Sequence, residues 1–502
     1  MSRLAAGSLG SRAYRHRWHI ATFVIGTLFA PAGPALAGDP PKLNRPVSFI
    51  KDVAPILKEN CFACHDSRKR KGKLDMSTYD SLRKGGESDD PITPGQADAS
   101  TLFLRITAHN ASRMPPKESG DPLSKEKIAV IERWINDGAK LDGGLQPTSD
   151  LLREMRIRWK PPLPPAAYRY PVTVNTLAFT PDGRSIVVSG YHELTFWNAS
   201  SGKLEERLYT RAERTYALAF LADGRLAVAG GRPGQEGDVR IYDVHGRSPQ
   251  MQRGVAVLDG VNDRGVMIGE LAETDDAVLC LALSRDGKKL AAGGCDRLVR
   301  VWDLGPGAAH AKLEQSFENH ADWVYAVTFS PDGTRLLTAS RDKTAKVWDL
   351  TAKESTLTFP EHQNIVYDVV AGADGKEAFS VGEDRQVRVW STTDGKQLRT
   401  IPGHGQALFK VLLCPDAVLA TCSADTTVRL WNSENGKPVR TLRGFSDWVY
   451  ALALSPDGKR IAAGAWNGEV RIWNLADGSL LRTFNASPGL QKVAAAPNKP
   501  KK

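Results

Sequence analysis

Cys61-Phe62-Ala63-Cys64-His65 sets two thiols three positions apart, with an imidazole directly after the second. That pattern has three chemical uses: a dithiol redox pair, half of a zinc site, or attachment of a c-type haem. In the third use the thiols add to the two vinyl groups of one porphyrin and the imidazole ligates iron. The sequence holds no second C-x-x-C to complete a zinc ribbon, and no strand-helix alternation of a thioredoxin unit surrounds the motif. The residues therefore predict one covalent haem c on Cys61 and Cys64, with His65 as the proximal iron ligand.

A haem needs elements that hold it and keep water from its edges. Phe49, Ile50, Val53, Ile56 and Leu57 recur as one apolar face of a helix running into Cys61. Further on, Ser124 suits a helix N-cap, Ile128, Ile131, Trp134 and Ile135 form a second apolar stripe, and Gly138 suits the residue after it. Residues 39–141 thus read as a small all-α unit.

Pro55-Ile56-Leu57, Asn60 with the Cys61–His65 run, Arg113-Met114-Pro115-Pro116 and Trp134-Ile135-Asn136-Asp137-Gly138-Ala139 resemble the cytochrome c domain of planctomycete secreted proteins. The resemblance covers about a fifth of the chain and implies that Met114 is the distal ligand. A thioether in a proline-stiffened loop is a suitable soft sixth ligand, with His109 as its rival. Arg68-Lys69-Arg70-Lys71 and Lys73 follow the motif. They suit a docking patch for an acidic redox partner, a counter-charge for haem propionates, or a solvated loop.

Four arginines (Arg3, Arg12, Arg15, Arg17), an apolar stretch from Ile20 to Ala30 and Ala35-Leu36-Ala37 read as a Sec-type signal peptide over 1–37, cleaved after Ala37. That predicts export, to a periplasm or its equivalent, and no transmembrane segment in the mature chain. Of the formal charge of +10, the leader supplies four, leaving 63 basic against 57 acidic side chains. A surplus of +6 on so long a chain is too mild for nucleic-acid binding. Cys280, Cys295, Cys414 and Cys422 lie in or beside strands out of register with one another, and read as buried apolar residues rather than bridges.

From residue 172 to 485 the chain repeats itself. Trp197, Tyr242, Trp302, Trp348, Trp390, Trp431 and Trp473 lie 45, 60, 46, 42, 41 and 42 residues apart. Each closes an alternating apolar run, and turn signals such as Ser330-Pro331-Asp332-Gly333 sit upstream. Seven repeats of four short strands, with a period of about 43, predict an all-β seven-bladed propeller. The pattern resembles WD-repeat proteins.

That family's internal hydrogen-bond chain maps onto His320, Ser340, Asp342 and Trp348 in the fourth repeat, and onto His404, Ser423, Asp425 and Trp431 in the sixth. The fifth keeps His362, Asp384 and Trp390 but has Gly382 in place of the serine, and the seventh has Phe445 in place of the histidine. The resemblance also aims Trp323, Arg341, Trp448 and Trp466 out of one face, where Trp and Arg favour partner binding. The long second spacing predicts roughly 17 extra residues in an elaborated outer strand and loop around 249–272. A Pro-rich linker is expected over 142–171 and a disordered tail over 486–502. Either side-chain packing closes the ring, or residues 151–170 add a strand to it.

Together these features predict a multidomain chain, a small all-α c-type cytochrome domain followed by the propeller. Its expected work is electron transfer through one haem, with a protein redox partner and a propeller-bound protein. No triad, second haem motif or spare histidine cluster suggests an enzyme. A periplasmic redox enzyme with a second cofactor in the propeller, or a haem-based sensor, stands as the alternative.

Overall fold

The computed structural model describes residues 45–67, 69–87, 90–244, 250–252, 254–263, 265–305 and 311–490. The leader over 1–37 and Arg68 lie outside the described residues. The chain divides after Trp159 into two compact units.

In the first unit Ser48 caps a π-helical turn, Phe49–Val53, that continues into α1 (Ala54–Asn60) and, after Cys61, into α2 (Phe62–His65). There follow α3 (Tyr79–Lys84), α4 (Thr101–Thr107), α5 (Lys125–Asn136) and α6 (Leu151–Arg158). The expected stripes form the core: Phe49, Val53, Leu57, Ile131, Trp134 and Ile135 are buried, and Phe49 stacks on Trp134 with centroids 5.0 Å apart. Ser124 caps α5 as expected, and Gly138 after it takes a φ of 97°.

The linker expected over 142–171 is corrected. Asp150 accepts the Arg153 N–H at 2.9 Å and starts α6, whose Leu151 is buried in the helical core with Leu152 and Met155 packed against it. Only the stretch after Trp159 connects the units.

The second unit is a ring of seven blades. Five are separate four-stranded antiparallel sheets, and the first two share a nine-stranded sheet because Leu204–Phe220 runs unbroken from one to the next. Its first half pairs with Tyr191–Asn198 as the outer strand of blade one, and its second half pairs with Leu226–Arg232 as the inner strand of blade two. The extra residues form a hairpin, Gln250–Gln252 with Val255–Asp259, whose second strand adds in parallel to the outer strand of blade one. Met267–Thr274 then supplies the outer strand of blade two.

The ring closes by packing, and residues 151–170 contribute no strand. The inner strand of blade one, Leu177–Phe179, lies beside that of blade seven, Val449–Leu454. Val174, Leu177 and Phe179 share a core with Ala451, Ala453 and Ala462. In blade five the anchoring Trp390 stacks on Phe359 from the preceding outer strand at 4.9 Å. Trp197 and Phe484 repeat that contact across the seam at 5.0 Å. Backbone clasps reinforce it: Tyr168 N–H donates to the Pro488 carbonyl at 2.9 Å and Val172 N–H to Ser487 Oγ at 2.9 Å. The tail boundary is corrected accordingly. Ala486 and Ser487 are buried parts of the ring, and the expected disorder over 491–502 lies outside the described residues.

Candidate functional site: a haem-sized cavity and an aromatic arc

The C-x-x-C-H run is short, helical and braced at both ends. Cys61 N–H donates to the Leu57 carbonyl at 2.8 Å, ending α1, and the Cys61 carbonyl accepts from Cys64 and His65 N–H, each at 3.1 Å. One helical turn therefore brings both sulfurs to the same side. Met76 N–H donates to the His65 carbonyl at 2.8 Å and fixes the far end.

Cys61, Cys64, His65 and Met114 line one cavity of about 580 Å³ in the first unit. The volume lies in the range of about 300–1,000 Å³ typical of cofactor sites. Leu74, Met76, Leu102, Ile106 and Leu123 supply apolar wall. Met114 is placed by its own N–H, which donates to the Arg105 carbonyl at 2.9 Å. His109 is exposed and is not part of the lining.

The chemistry of these groups fits a haem. His65 Nδ1 is buried without a hydrogen-bond partner among the described residues, which leaves that nitrogen uncommitted. Burial, with Cys64 adding to it, pushes the Cys61 thiol up to about 12. The attacking thiol of a dithiol redox pair has a lowered pKa, so Cys61 does not suit that role. The walls came from α4 and the loops around it, which motif spacing did not single out. Leu102 and Ile106, four apart on α4, were the available signal.

The basic run beside the motif is partly neutralised within the unit. Lys69 Nζ donates to the Ala63 carbonyl at 2.7 Å, Arg70 lies 3.6 Å from Asp75, and Lys73 lies 3.3 Å from Glu87.

In the propeller the histidine chains form, but through other hydroxyls than expected. His320 Nε2 lies 2.7 Å from Thr338 Oγ1, which also accepts from Trp348 Nε1 at 2.9 Å, while Nδ1 lies 2.8 Å from Asp342. Blade six repeats this with His404, Thr421, Trp431 and Asp425. Blade five, expected to be broken at Gly382, is complete through Ser380. Ser340 and Ser423 instead donate to the Asp322 and Gln406 carbonyls. These histidines are structural.

Trp323, Arg341, Trp448 and Trp466 lie at equivalent places in blades four and seven. Arg341 N–H donates to the Trp323 carbonyl and Trp466 N–H to the Trp448 carbonyl, both at 2.9 Å. The Arg341 guanidinium sits 5.0 Å over the Trp323 ring, and Trp466 is 39% exposed.

Between them runs an arc that sequence reasoning missed. Trp323, Tyr325, Tyr367, Phe409, Tyr450 and Trp466 follow one another with ring centroids 6.3, 5.3, 5.3, 4.4 and 5.8 Å apart, and Trp448 lies 6.3 Å from Phe409. The signal was present: Tyr325, Tyr367, Phe409 and Tyr450 each take the second place of an inner strand, 42, 42 and 41 residues apart.

A family model described as planctomycete cytochrome C matches residues 61–118. One described as WD domain, G-beta repeat, matches 265–303, 311–349, 353–391, 395–432 and 436–474. The chain is similar to Transcription factor unc-37 of Caenorhabditis elegans, 30% identical over 132 residues, which are 26% of this chain and 18% of that protein. It is also similar to Protein groucho of Drosophila melanogaster, 25% identical over 137 residues, 27% of this chain and 16% of that one. The chain thus spans less than a fifth of the length of these curated relatives. It joins a planctomycete-type cytochrome c segment, which implies haem, to WD repeats, which imply protein partners.

Proposed function

We propose that the protein is an exported one-haem electron carrier whose propeller docks a partner protein. The observation that carries the reading is the convergence of Cys61, Cys64, His65 and Met114 on one apolar-walled cavity. Cys61 and Cys64 would hold the porphyrin covalently, and His65 and Met114 would ligate its iron. Bound haem supplies a one-electron iron centre. The protein's part would be to fix His65 and Met114 and, with Leu74, Leu102, Ile106 and Leu123, to exclude water from the cavity. With His65 and Met114 both given to the iron, the chain would leave no ligand position for substrate or gas, which suits electron transfer.

Export rests on the leader pattern over 1–37 and on the need to attach haem c outside the cytoplasm. For the propeller, the partly exposed aromatic arc with Arg341 at one end supports a docking role, because Trp, Tyr and Arg dominate interface hot spots. Among the described residues no helix is long and apolar enough to cross a membrane.

An optical spectrum of the purified protein, taken with and without acid-acetone extraction, tests the core of this reading. Haem that stays on the polypeptide and gives a low-spin spectrum is expected. A colourless protein, or one whose haem extracts, would overturn it.

A further inference from the structure

Arg105 projects from α4 into the lining of the cavity, half-buried, and it has no acidic partner among the described residues. Its guanidinium makes a single long hydrogen bond, 3.4 Å from Nη1 to the Ser112 carbonyl. Arg207, Arg240, Arg300, Arg388 and Arg399, also buried or half-buried, each hold a carboxylate within 3.0 Å, and Arg335 and Arg460 each hold a carbonyl, at 3.0 and 2.7 Å. A guanidinium left half-desolvated without a counter-charge is costly, and its planar fork suits a carboxylate.

The other cations of the cavity lining are less suited. Lys127 is engaged by Glu59 at 2.7 Å, and Lys71 is an exposed part of the lining. Arg105 is also tied to the iron's expected surroundings, because its carbonyl accepts the Met114 N–H.

We infer that Arg105 binds a propionate carboxylate of the haem, and so both positions the porphyrin edge and raises the reduction potential. The inference rests on the haem reading above. A porphyrin seated in this cavity carries two carboxylates that need compensation where they leave water. A positive charge beside the haem disfavours the more positively charged ferric state, so Arg105 makes the iron easier to reduce.

The test is redox titration of the full-length haem protein, followed optically from about pH 5 to 8, for wild type, Arg105→Gln, Arg105→Lys and Lys71→Gln. In Arg105→Gln the haem should stay covalently bound with the same axial-ligand bands, while the potential falls. The fall should be about threefold or more that of Lys71→Gln, since the exposed Lys71 charge is screened. The potential should also gain a dependence on pH within that range, as the unpaired propionate titrates there. Arg105→Lys should recover most of the difference. Should Arg105→Gln fail to take up haem, Arg105→Lys decides: restored haem and a near-native potential support the pairing, and a variant as defective as Gln overturns it. Equal potentials for wild type and Arg105→Gln, or equal shifts for Gln at 105 and 71, also overturn it while leaving the haem reading intact. Wild type without haem would remove both.

Discussion

His362 Nε2 lies 2.7 Å from the Ser380 hydroxyl, the same oxygen that accepts from Trp390 Nε1 at 3.1 Å. Blade five therefore has its full polar chain, and Gly382 is not a gap in it. Ser380→Ala should leave a buried imidazole nitrogen and an indole N–H unpaired and cost about 1–3 kcal/mol. Restoring the familiar serine by Gly382→Ser should also destabilise, because a Cβ there would strike the Ile365 carbonyl. Denaturant melts of the propeller check both, and a Gly382→Ser variant more stable than wild type would refute the assignment.

Acid should loosen the propeller in two windows. Burial holds His404 below the usual histidine range despite Asp425 beside it. Its share of stability is therefore complete above about pH 6.5 and is lost as pH falls below that value. Burial alone would raise Asp342 and Asp425, but donors from His320 and Thr344, and from His404 and Thr427, hold them well below the carboxylate range. Their share is present above about pH 4 and is lost below it. The propeller's melting temperature, followed by circular dichroism, should be flat at neutrality and fall in both windows. A rise between about pH 7 and 5 would contradict the His404 assignment.

For the haem ligands, Met114→Ala should abolish the weak far-red sulfur-to-iron band of the ferric protein while the haem stays attached. His109→Ala should change nothing, since His109 lies outside the cavity lining. Loss of the low-spin spectrum in His109→Ala would reverse the distal assignment.

On the propeller face, a Trp448→Ala, Trp466→Ala double variant should lose partner recovery in pull-downs from native exported fractions. Adding Tyr450→Ala should deepen the loss, because Tyr450 lies 5.8 Å from Trp466 and 4.4 Å from Phe409. Undiminished recovery by a folded triple variant would exclude this face.

The cysteine-histidine spacing, the helical stripes and the repeat period were legible in the sequence because each is a local pattern with a fixed geometric meaning. The hydroxyl of the histidine chain was not. Thr338 and Ser340, like Thr421 and Ser423, are two apart on a strand and share a face, so both present an oxygen to the same side. Only depth along the strand separates them, and that is set by where the histidine loop descends. Blade five, which has Ser380 but no second hydroxyl at Gly382, held the answer. Helix α6 was hidden differently: Asp150, Leu151, Leu152 and Met155 carry a cap and an apolar edge, but the prolines just beyond drew the whole stretch into a linker. Arg105 had no sequence signal, because what marks it is a missing carboxylate.

The seam of the ring has a mechanical consequence. Apart from the hairpin over 250–259 that joins blade one, the strands of each blade follow one another along the chain, and no strand is exchanged between the two ends of the propeller. The fastening is instead a pair of straps: residues 168–174 on one side and 484–488 on the other. The first strap is anchored in blade one, where Glu193 receives both Arg207 and the Tyr168 hydroxyl, and Arg207 also holds the Pro165 carbonyl. It is also the stretch that leads back to the haem-bearing unit. A pull on residues 160–167 would therefore be borne first by this buckle, and one strong enough to free Tyr168 would begin to unzip the ring where blade one meets blade seven.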